Sequence, residues 1–465
     1  MPIRAVHLDL KGVPPSAARL PGLLNLIAAA RYNALLVEWE DMYPWTVDTR
    51  FRNATAYTPR QVRAFHAAAA ARGLEIIPLV QCLGHMETPL SVDGYRHLRE
   101  VPYRSDGLNP LAPGARELVE RMVDDVLALT PGVRYFHLGG DEARTLGRCP
   151  ATAAYIRRHG KAQLYLQHVE PILDRLAARS IRPILWSDMM HDWPDDGLRH
   201  IATKADLCPW GYNGHPDEWQ HHSATRHIER FHANGITLWG ATAYKGCEGP
   251  DADLVDLDVH TRNALAWVEV GRRFNMVGLI ATAWSRYTTL LTQTQPIDAS
   301  LDSLVSVGLI LHDGKAPGGA ACRRVLARCG EQARLEACQA AMAKLTHMRT
   351  QAWASVRELR QQVVLETADP RRRGAAMGYL IDLKRHLEVG GREARTLLWQ
   401  AFRGLMPPYW IDRYLGERLD PLLEELASLE SRVRVLEPDT YRATRHLRKW
   451  NSFSDAPAKR PRRKK

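Results

Sequence analysis

The sequence predicts an α/β protein, a (β/α)8 barrel of the TIM type followed by a C-terminal α-helical region. Three observations predict it. Eight β-type apolar runs recur within about the first 285 residues, amphipathic stretches rather than tight turns separate them, and no strand-like alternation returns after the eighth. Strands and helices alternating over so short a span are the signature of parallel βα units. A barrel built this way carries its chemistry at the C-terminal ends of its strands.

The expected strands lie at Ala5–Leu10, Ala34–Trp39, Glu75–Gln81, Val133–Leu138, Pro183–Ser187, Ala205–Trp210, Thr237–Thr242 and Gly278–Trp284. Between them, Ala17–Arg31, Pro59–Arg72, Gly114–Leu129 and Ala151–Ser180 carry Ala, Leu and Val at helical spacing, with Arg and Glu facing away. Gly73 and Gly235 stand just before strands, where helix C-caps belong. The connection from Asp188 to Lys204 is too short and polar for a full-length helix, so the fifth unit is expected to be degenerate.

Beyond the barrel, helices are expected over Leu301–Leu311, Ala320–Glu366, Arg373–Leu405 and Trp410–Val435. In the last of these, Asp420-Pro421 has the N-cap and N1 chemistry of a fresh helix start. Leu422, Leu423, Leu426, Leu429 and Val433 follow on one face, which reads as a packing surface rather than a ligand site. The same face could close on the chain's own barrel or on a second copy, so a homodimer through the C-terminal helices stays open. The expected plan is a catalytic barrel over 1–300, a helical region over 301–450 and a disordered basic tail over 451–465.

With 465 residues, 45% apolar and 25% charged, the chain can bury a large core without covalent staples. Its seven cysteines (Cys82, Cys149, Cys208, Cys247, Cys322, Cys329, Cys338) are scattered and lack metal-type spacing. Neither a disulfide framework nor a metal site is expected, and a reducing compartment fits best. The start, MPIRAVHLDLKG, enters a strand pattern at once, without a basic n-region and apolar h-region, and no run of about 18 apolar residues occurs anywhere. The expectation is a cytoplasmic protein, nuclear also in a eukaryote, with no membrane partner. Of the net charge of +11, the segment Lys459-Arg460-Pro461-Arg462-Arg463-Lys464-Lys465 supplies six positive charges and no negative one. The segment reads first as a solubilising end, with a nuclear localisation signal or a nonspecific nucleic-acid contact as the alternatives.

The most informative stretch is the expected fourth strand, Val-Arg-Tyr-Phe-His137-Leu138-Gly139-Gly140-Asp141-Glu142: an apolar run ends in two glycines and two adjacent carboxylates at the catalytic rim. Neighbouring residues on an extended strand point to opposite sides, but the Gly-Gly pair frees the backbone to turn both acids into one pocket. Two acids in different surroundings can then hold different protonation states. Alone, an Asp-Glu pair after a strand would read as a helix N-cap.

The stretch resembles glycoside hydrolase family 20, the β-N-acetylhexosaminidases, whose fourth-strand motif His-x-Gly-Gly-Asp-Glu is matched at His137, Gly139, Gly140, Asp141 and Glu142. On the third strand, Pro78 and Gly84-His85 are similar to the family's Pro-Glu-x-x-x-Pro-Gly-His signature, and Leu108-Asn109-Pro110 resembles a further element. The resemblance spans Met1 to about Arg286. It is strongest to the hexosaminidase D-type branch through Val-His7-Leu-Asp9-Leu-Lys11-Gly, Glu38-Trp39-Glu40 and Thr-Ala-Trp284-Ser-Arg286.

The resemblance implies a retaining mechanism in which the substrate's 2-acetamido oxygen, not an enzyme carboxylate, attacks carbon and forms an oxazolinium intermediate. Glu142 would be the acid/base. Asp141 would accept the acetamido N–H and stabilise its developing charge. Trp186, Trp210 and Trp284 fall where the family builds its acetamido cage and sugar platform, whereas Trp239 fits core packing equally well. Tyr244 matches by position the tyrosine that bonds the attacking oxygen, with Tyr212 as the fallback. His85 and His137 read as packed, hydrogen-bonded histidines or as groups that tune Glu142.

The chain departs from the family where hydroxyls are recognised. The first-strand Arg is absent, Lys11 is offset from its place, and Arg286 stands for the Glu of Trp-x-Glu. Asp9, Glu40 and Asp41, at the ends of the first two strands, are the acids that could supply those contacts, with Asp9 and Glu40 as the candidates. The implied partner is a glycoconjugate or oligosaccharide with a terminal N-acetylhexosamine; no cofactor and no metal are required. The competing readings are a two-carboxylate glycosidase with a rim acid such as Asp9 or Glu40 as nucleophile, and a catalytically silent carbohydrate-binding barrel.

Overall fold

A computed structural model describes residues 1–220, 223–286, 293–369, 371 and 374–443. The expected 451–465 tail lies outside them. Eight strands form one all-parallel sheet: β1 (Ile3–Asp9), β2 (Ala34–Glu38), β3 (Glu75–Leu79), β4 (Tyr135–His137), β5 (Arg182–Trp186), β6 (Asp206–Cys208), β7 (Trp239–Lys245) and β8 (Gly278–Ala283). Their order, β6-β5-β4-β3-β2-β1-β8-β7, becomes a closed barrel through the parallel bridges Leu207–Leu238 and Trp210–Ala241. The barrel is a TIM-type (β/α)8 fold. Strands buried on both faces read as unbroken apolar runs, which is why each was visible in sequence.

The helices are α1 (Leu20–Ala29), α2 (Pro59–Ala70), α3 (Glu87–Leu90), α4 (Ala115–Leu129), α5 (Pro150–His159), α6 (Lys161–Ala177), α7 (Asp195–Ala202), α8 (Thr225–Ala233), α9 (Leu257–Arg273), α10 (Leu301–Asp313), α11 (Gly319–Arg328), α12 (Gln332–Ala368), α13 (Ala376–Arg385), α14 (Gly391–Phe402), α15 (Pro408–Leu436) and α16 (Pro438–Ala443). The fifth unit has only the eight-residue α7, as its short polar connection required.

Several boundaries differ from those expected. The single helix over 151–180 is two, α5 and α6, separated at Gly160. The 320–366 helix is broken at Gly330, and 373–405 is interrupted by a π-helical turn at His386–Gly390. Asp420-Pro421 starts nothing, because α15 runs straight through it. Proline removes one helical hydrogen bond there, but buried Tyr414, Leu415, Leu422, Leu426, Leu429 and Val433 continue one apolar face across it, so packing carries the helix past the break.

The described chain divides into two compact units, Met1–Gln339 with Phe402–Ile411, and Ala340–Ala401 with Asp412 onward. Helices α10 and α11 belong to the barrel unit. So does the returning segment 402–411, in which the Leu405 and Gly404 carbonyls accept the Ser16 N–H (2.6 Å) and hydroxyl (2.7 Å), and the Trp410 indole donates to the Thr55 hydroxyl (2.8 Å). Within the second unit, Lys384–Glu430 (2.5 Å) and Arg360–Glu425 (2.7 Å) tie helices around a core that includes Leu359, Val363, Leu380, Leu383 and Leu398.

The barrel interior is filled by Ala5, Leu36, Ile77, Leu79, Ile184, Trp186, Cys208, Trp239, Ala241 and Ile280. Trp239 belongs to this core: it is fully buried, edge-on to Tyr135, with its indole donating to Asp206 (3.0 Å). Among the described residues, no helix is long and apolar enough to cross a membrane. All seven cysteines are free thiols.

Candidate active site

Strand β4 stops at His137 because the next residues turn. Gly139 (φ 58°) and Gly140 (φ 80°) occupy the left-handed region, and a Cβ on them would lie 1.8 Å from the Gln81 side chain and 2.3 Å from the Tyr165 hydroxyl oxygen. Both therefore need glycine twice over, for conformation and for space. The His137 Nδ1 accepts the Gly139 N–H (2.9 Å), which fixes the start of the turn. Burial lowers the pKa of His137 to about 3, so the ring is neutral, and it lies 4.2 Å from the Trp186 ring centre. His137 thus holds the turn through Gly139 and packs against Trp186.

The turn delivers Asp141 and Glu142 to the rim. His85, on the loop after β3, bridges them: its Nε2 lies 3.6 Å from Asp141 Oδ2 and 3.5 Å from Glu142 Oε2. The two loops are pressed together at Gly84, where a Cβ would come within 1.9 Å of the Asp141 carbonyl oxygen. His85 (φ 52°), Glu142 (φ 44°) and Glu40 (φ 46°) are non-glycine residues held in the left-handed region. Backbone strain of this kind persists where the surroundings over-determine it, and here it marks the rim of one barrel end.

Electrostatics separates the acids. Burial pushes Asp141 up, with the neighbouring Asp188 and Glu142 charges adding to it against the pull of His85, to about 7. Burial acts on Glu142 in the same sense but is outweighed by His85 and by Arg144, whose guanidinium lies 2.5 Å from Glu142 Oε1, and the carboxyl falls to about 2. For His85, burial is outweighed by Asp141 and Glu142, and its pKa rises to about 10.

Asp188 is a member the sequence reading missed. It follows Trp186-Ser187 at the end of β5, accepts the Glu142 N–H (2.9 Å) and sits beside Trp210, and burial raises it to about 6. The signal was an acid immediately after a barrel strand, read then as the start of a polar connection.

The aromatic residues form one wall. Trp186 and Trp284 lie 6.3 Å apart, Tyr212 lies 6.2 Å from Trp284, and Tyr212 stacks on Trp210 at 5.4 Å and 20°. Tyr244 is not part of it. One position off the alternation of Trp239 and Ala241, its side chain falls on the opposite face of β7, and its buried hydroxyl donates to the His7 carbonyl (3.2 Å). Tyr212, whose hydroxyl neighbours Trp284 and Thr282, is the tyrosine that faces the wall.

Asp9 is drawn into a buried network. Its carboxylate accepts the Ser285 N–H (2.7 Å) and pairs with Lys11 (3.1 Å); Lys11 also pairs with Glu38 (2.9 Å), which lies 3.2 Å from His7. The Lys11 ammonium sits 5.4 Å from the Trp284 ring centre, so the offset cation reaches the aromatic wall. Glu40 accepts the Thr88 hydroxyl (2.6 Å) and shares a small cavity with His85; burial, then the Glu38 charge, raises it to about 8. Arg286 pairs with Asp41 (3.4 Å), and its guanidinium lies 5.1 Å from the Trp410 ring centre. Among the described residues no cluster of three or more His, Cys, Asp or Glu has the arrangement of a metal site.

Residues 37–226 match the family model for the catalytic domain of glycosyl hydrolase family 20. Hexosaminidase D of Bos taurus is 34% identical over 322 residues, covering 67% of this chain and 92% of its own. Hexosaminidase D of Homo sapiens is 34% identical over 324 residues, covering 67% of this chain and 66% of its own. Among solved structures, the chitobiase of Flavobacterium johnsoniae superposes with a TM-score of 0.53 at 14% identity, over 94% of this chain and 72% of that one. The exo-β-N-acetylglucosaminidase of Vibrio harveyi gives 0.51 at 16%, over 73% and 58%. At these identities the structural likenesses establish the fold.

Proposed function

The chain belongs to glycosyl hydrolase family 20, and we propose that it is a retaining exo-β-N-acetylhexosaminidase that removes terminal β-linked GlcNAc or GalNAc from glycoconjugates or oligosaccharides. The single observation that carries this reading is the adjacent pair Asp141–Glu142, bridged by His85 and faced by an aromatic wall. The chemistry resides in the barrel, residues 1–300. Glu142 protonates the leaving oxygen and later deprotonates water. Asp141 holds the acetamido N–H while the acetamido oxygen attacks C1. Trp186, Trp210 and Trp284 enclose the acetamido methyl and the apolar face of the ring. Tyr212 takes the attacking oxygen, and Lys11, Glu40 and Arg286 with Asp41 are positioned for the hydroxyls. Asp9, already engaged by Lys11 and Ser285, is a poor nucleophile, which weighs against a two-carboxylate mechanism. Seven free thiols suit a reducing compartment, and we place the activity in the cytoplasm.

The test is release of 4-nitrophenol from its β-GlcNAc, β-GalNAc and β-glucose derivatives, with an oxazoline-mimicking thiazoline as inhibitor. Hydrolysis confined to the N-acetyl sugars and blocked by the thiazoline is the expected result; comparable cleavage of the glucoside would remove the reading.

The two tyrosines separate in the same assay. Tyr212→Phe is expected to lower kcat/KM by about 10-fold, the worth of one hydrogen bond made to a developing charge. Tyr244→Phe loses only a bond to a backbone carbonyl, and is expected to reduce thermal stability by about 1 kcal/mol while turnover stays within about twofold. The opposite pattern would return the role to Tyr244.

A further inference from the structure

The charge arrangement around Glu142 is unusual for an acid that must carry a proton to a leaving group. One carboxylate oxygen faces His85, and the other is held at 2.5 Å by Arg144, whose side chain is 67% exposed against 27% for Glu142. A guanidinium at this distance opposes protonation of the carboxyl and occupies the oxygen that His85 does not face.

The loop that presents Arg144 is firmly anchored. Glu100, 2% exposed, accepts the Gly147 and Cys149 N–H groups at 2.9 Å each and the Thr152 hydroxyl, and Ala143 and Thr145 on either side of Arg144 are buried. The backbone is fixed while the side chain points outward from it. The loop Ala143-Arg144-Thr145-Leu146-Gly147-Arg148-Cys149 contains two cations and no anion, and Arg148 is also exposed.

The leaving sugar must bring its glycosidic oxygen to Glu142. The aromatic wall and Asp141 hold the N-acetylhexosamine, and the aglycone approaches the Glu142 carboxylate, one oxygen of which Arg144 already holds. A neutral aglycone has to displace Arg144 from Glu142 and gives the guanidinium nothing in return. An anionic aglycone provides a replacement partner, and guanidinium suits carboxylate and sulfate groups through paired hydrogen bonds.

We propose that Arg144 is the aglycone-specificity residue of this site: it covers Glu142 when the site is empty and exchanges that carboxylate for an acidic group, a uronate carboxylate or a sulfate ester, on the sugar being released. The preferred substrates are then terminal β-N-acetylhexosamines attached to an acidic sugar. This inference rests on Glu142 being the acid of the hydrolase proposed above.

The experiment compares kcat/KM of the full chain for two disaccharides with the same terminal N-acetylhexosamine, one on glucuronic acid and one on glucose. The wild type is expected to favour the glucuronate by about 10-fold or more, the usual worth of a charge-assisted hydrogen bond. The preference should fall towards one in Arg144→Gln, be partly kept in Arg144→Lys, and shrink in about 0.5 M salt, which screens an exposed pair and requires no variant. Arg158→Gln, an exposed change on α5, should leave the ratio as it is. A wild-type ratio near one, or a ratio that survives both Arg144→Gln and salt, would overturn the proposal. If neither 4-nitrophenyl N-acetylhexosaminide is cleaved, the hydrolase reading falls and takes this one with it; if both are cleaved and the ratio is one, only this one falls.

Discussion

Glu142→Gln is expected to lower kcat by about 10²–10⁴-fold on an N-acetylhexosaminide with a sugar leaving group, the range that a positioned general acid supplies. The same variant should lose less in the glycosylation step with 4-nitrophenol as the leaving group, because an aryl oxide departs without protonation. The fold should survive. The Glu142 N–H still reaches Asp188 at 2.9 Å, and the side chain, 27% exposed, is not part of the packed core. Single-turnover rates on the disaccharide and on the aryl glycoside, with thermal unfolding of both proteins, decide the matter. Equal losses on the two substrates would mean that Glu142 does something other than proton donation, and no loss on the disaccharide would remove it from the mechanism.

That Asp141 and Glu142 could be picked out in sequence follows from how local their signal is: an apolar strand, two glycines and two acids in ten consecutive residues. The glycines are explained by what they meet, the Gln81 side chain and the Tyr165 hydroxyl, and those partners are separated in sequence from the motif. Strand positions were legible for a related reason, since burial on both faces leaves continuous apolar runs. What escaped was whatever depends on a single residue's register. Tyr244 lies within β7 rather than beyond it, one position off the alternation of Trp239 and Ala241, so its side chain falls on the opposite face. Tyr212, two residues past Trp210, reaches the wall by stacking on it, and nothing in a strand pattern announces that. Asp188 was read as connection because its role, accepting a backbone N–H from the β4 loop, is a tertiary one. The Asp9–Lys11–Glu38–His7 network was visible only as scattered charges on two strands, since its meaning lies in the parallel register that pairs Asp9 with Glu38.

Asp141→Asn carries the second large expected effect, about 10²–10³-fold in kcat, the loss typical of one group that stabilises developing charge in a buried site. It also has a pH signature. With Asp141 raised to about 7 and Glu142 lowered to about 2, the single proton shared by the pair below neutrality rests on Asp141 in the empty site. Catalysis needs the same proton count with the positions exchanged, Glu142 protonated and Asp141 ionised. The active form is therefore a tautomer of the major one, drawn on when the acetamido N–H offers Asp141 a better partner than a proton. As pH rises through about 7 the pair loses that last proton, so kcat/KM of the wild type should be retained on the acidic side and fall on the alkaline side. Asp188 at about 6, and the cations His85 and Arg144, face the same pair, so the limb belongs to the group rather than to one residue. In Asp141→Asn the carboxyl that holds the proton up to about pH 7 is gone, and the proton rests on Asp188, at about 6, or on Glu142 against His85 and Arg144. The alkaline limb should therefore move to lower pH. A profile on the disaccharide between about pH 4 and 9 reads this directly. An asparagine variant that keeps the wild-type limb, or loses less than about 10-fold in kcat, would show that Asp141 neither stores the proton nor carries the charge.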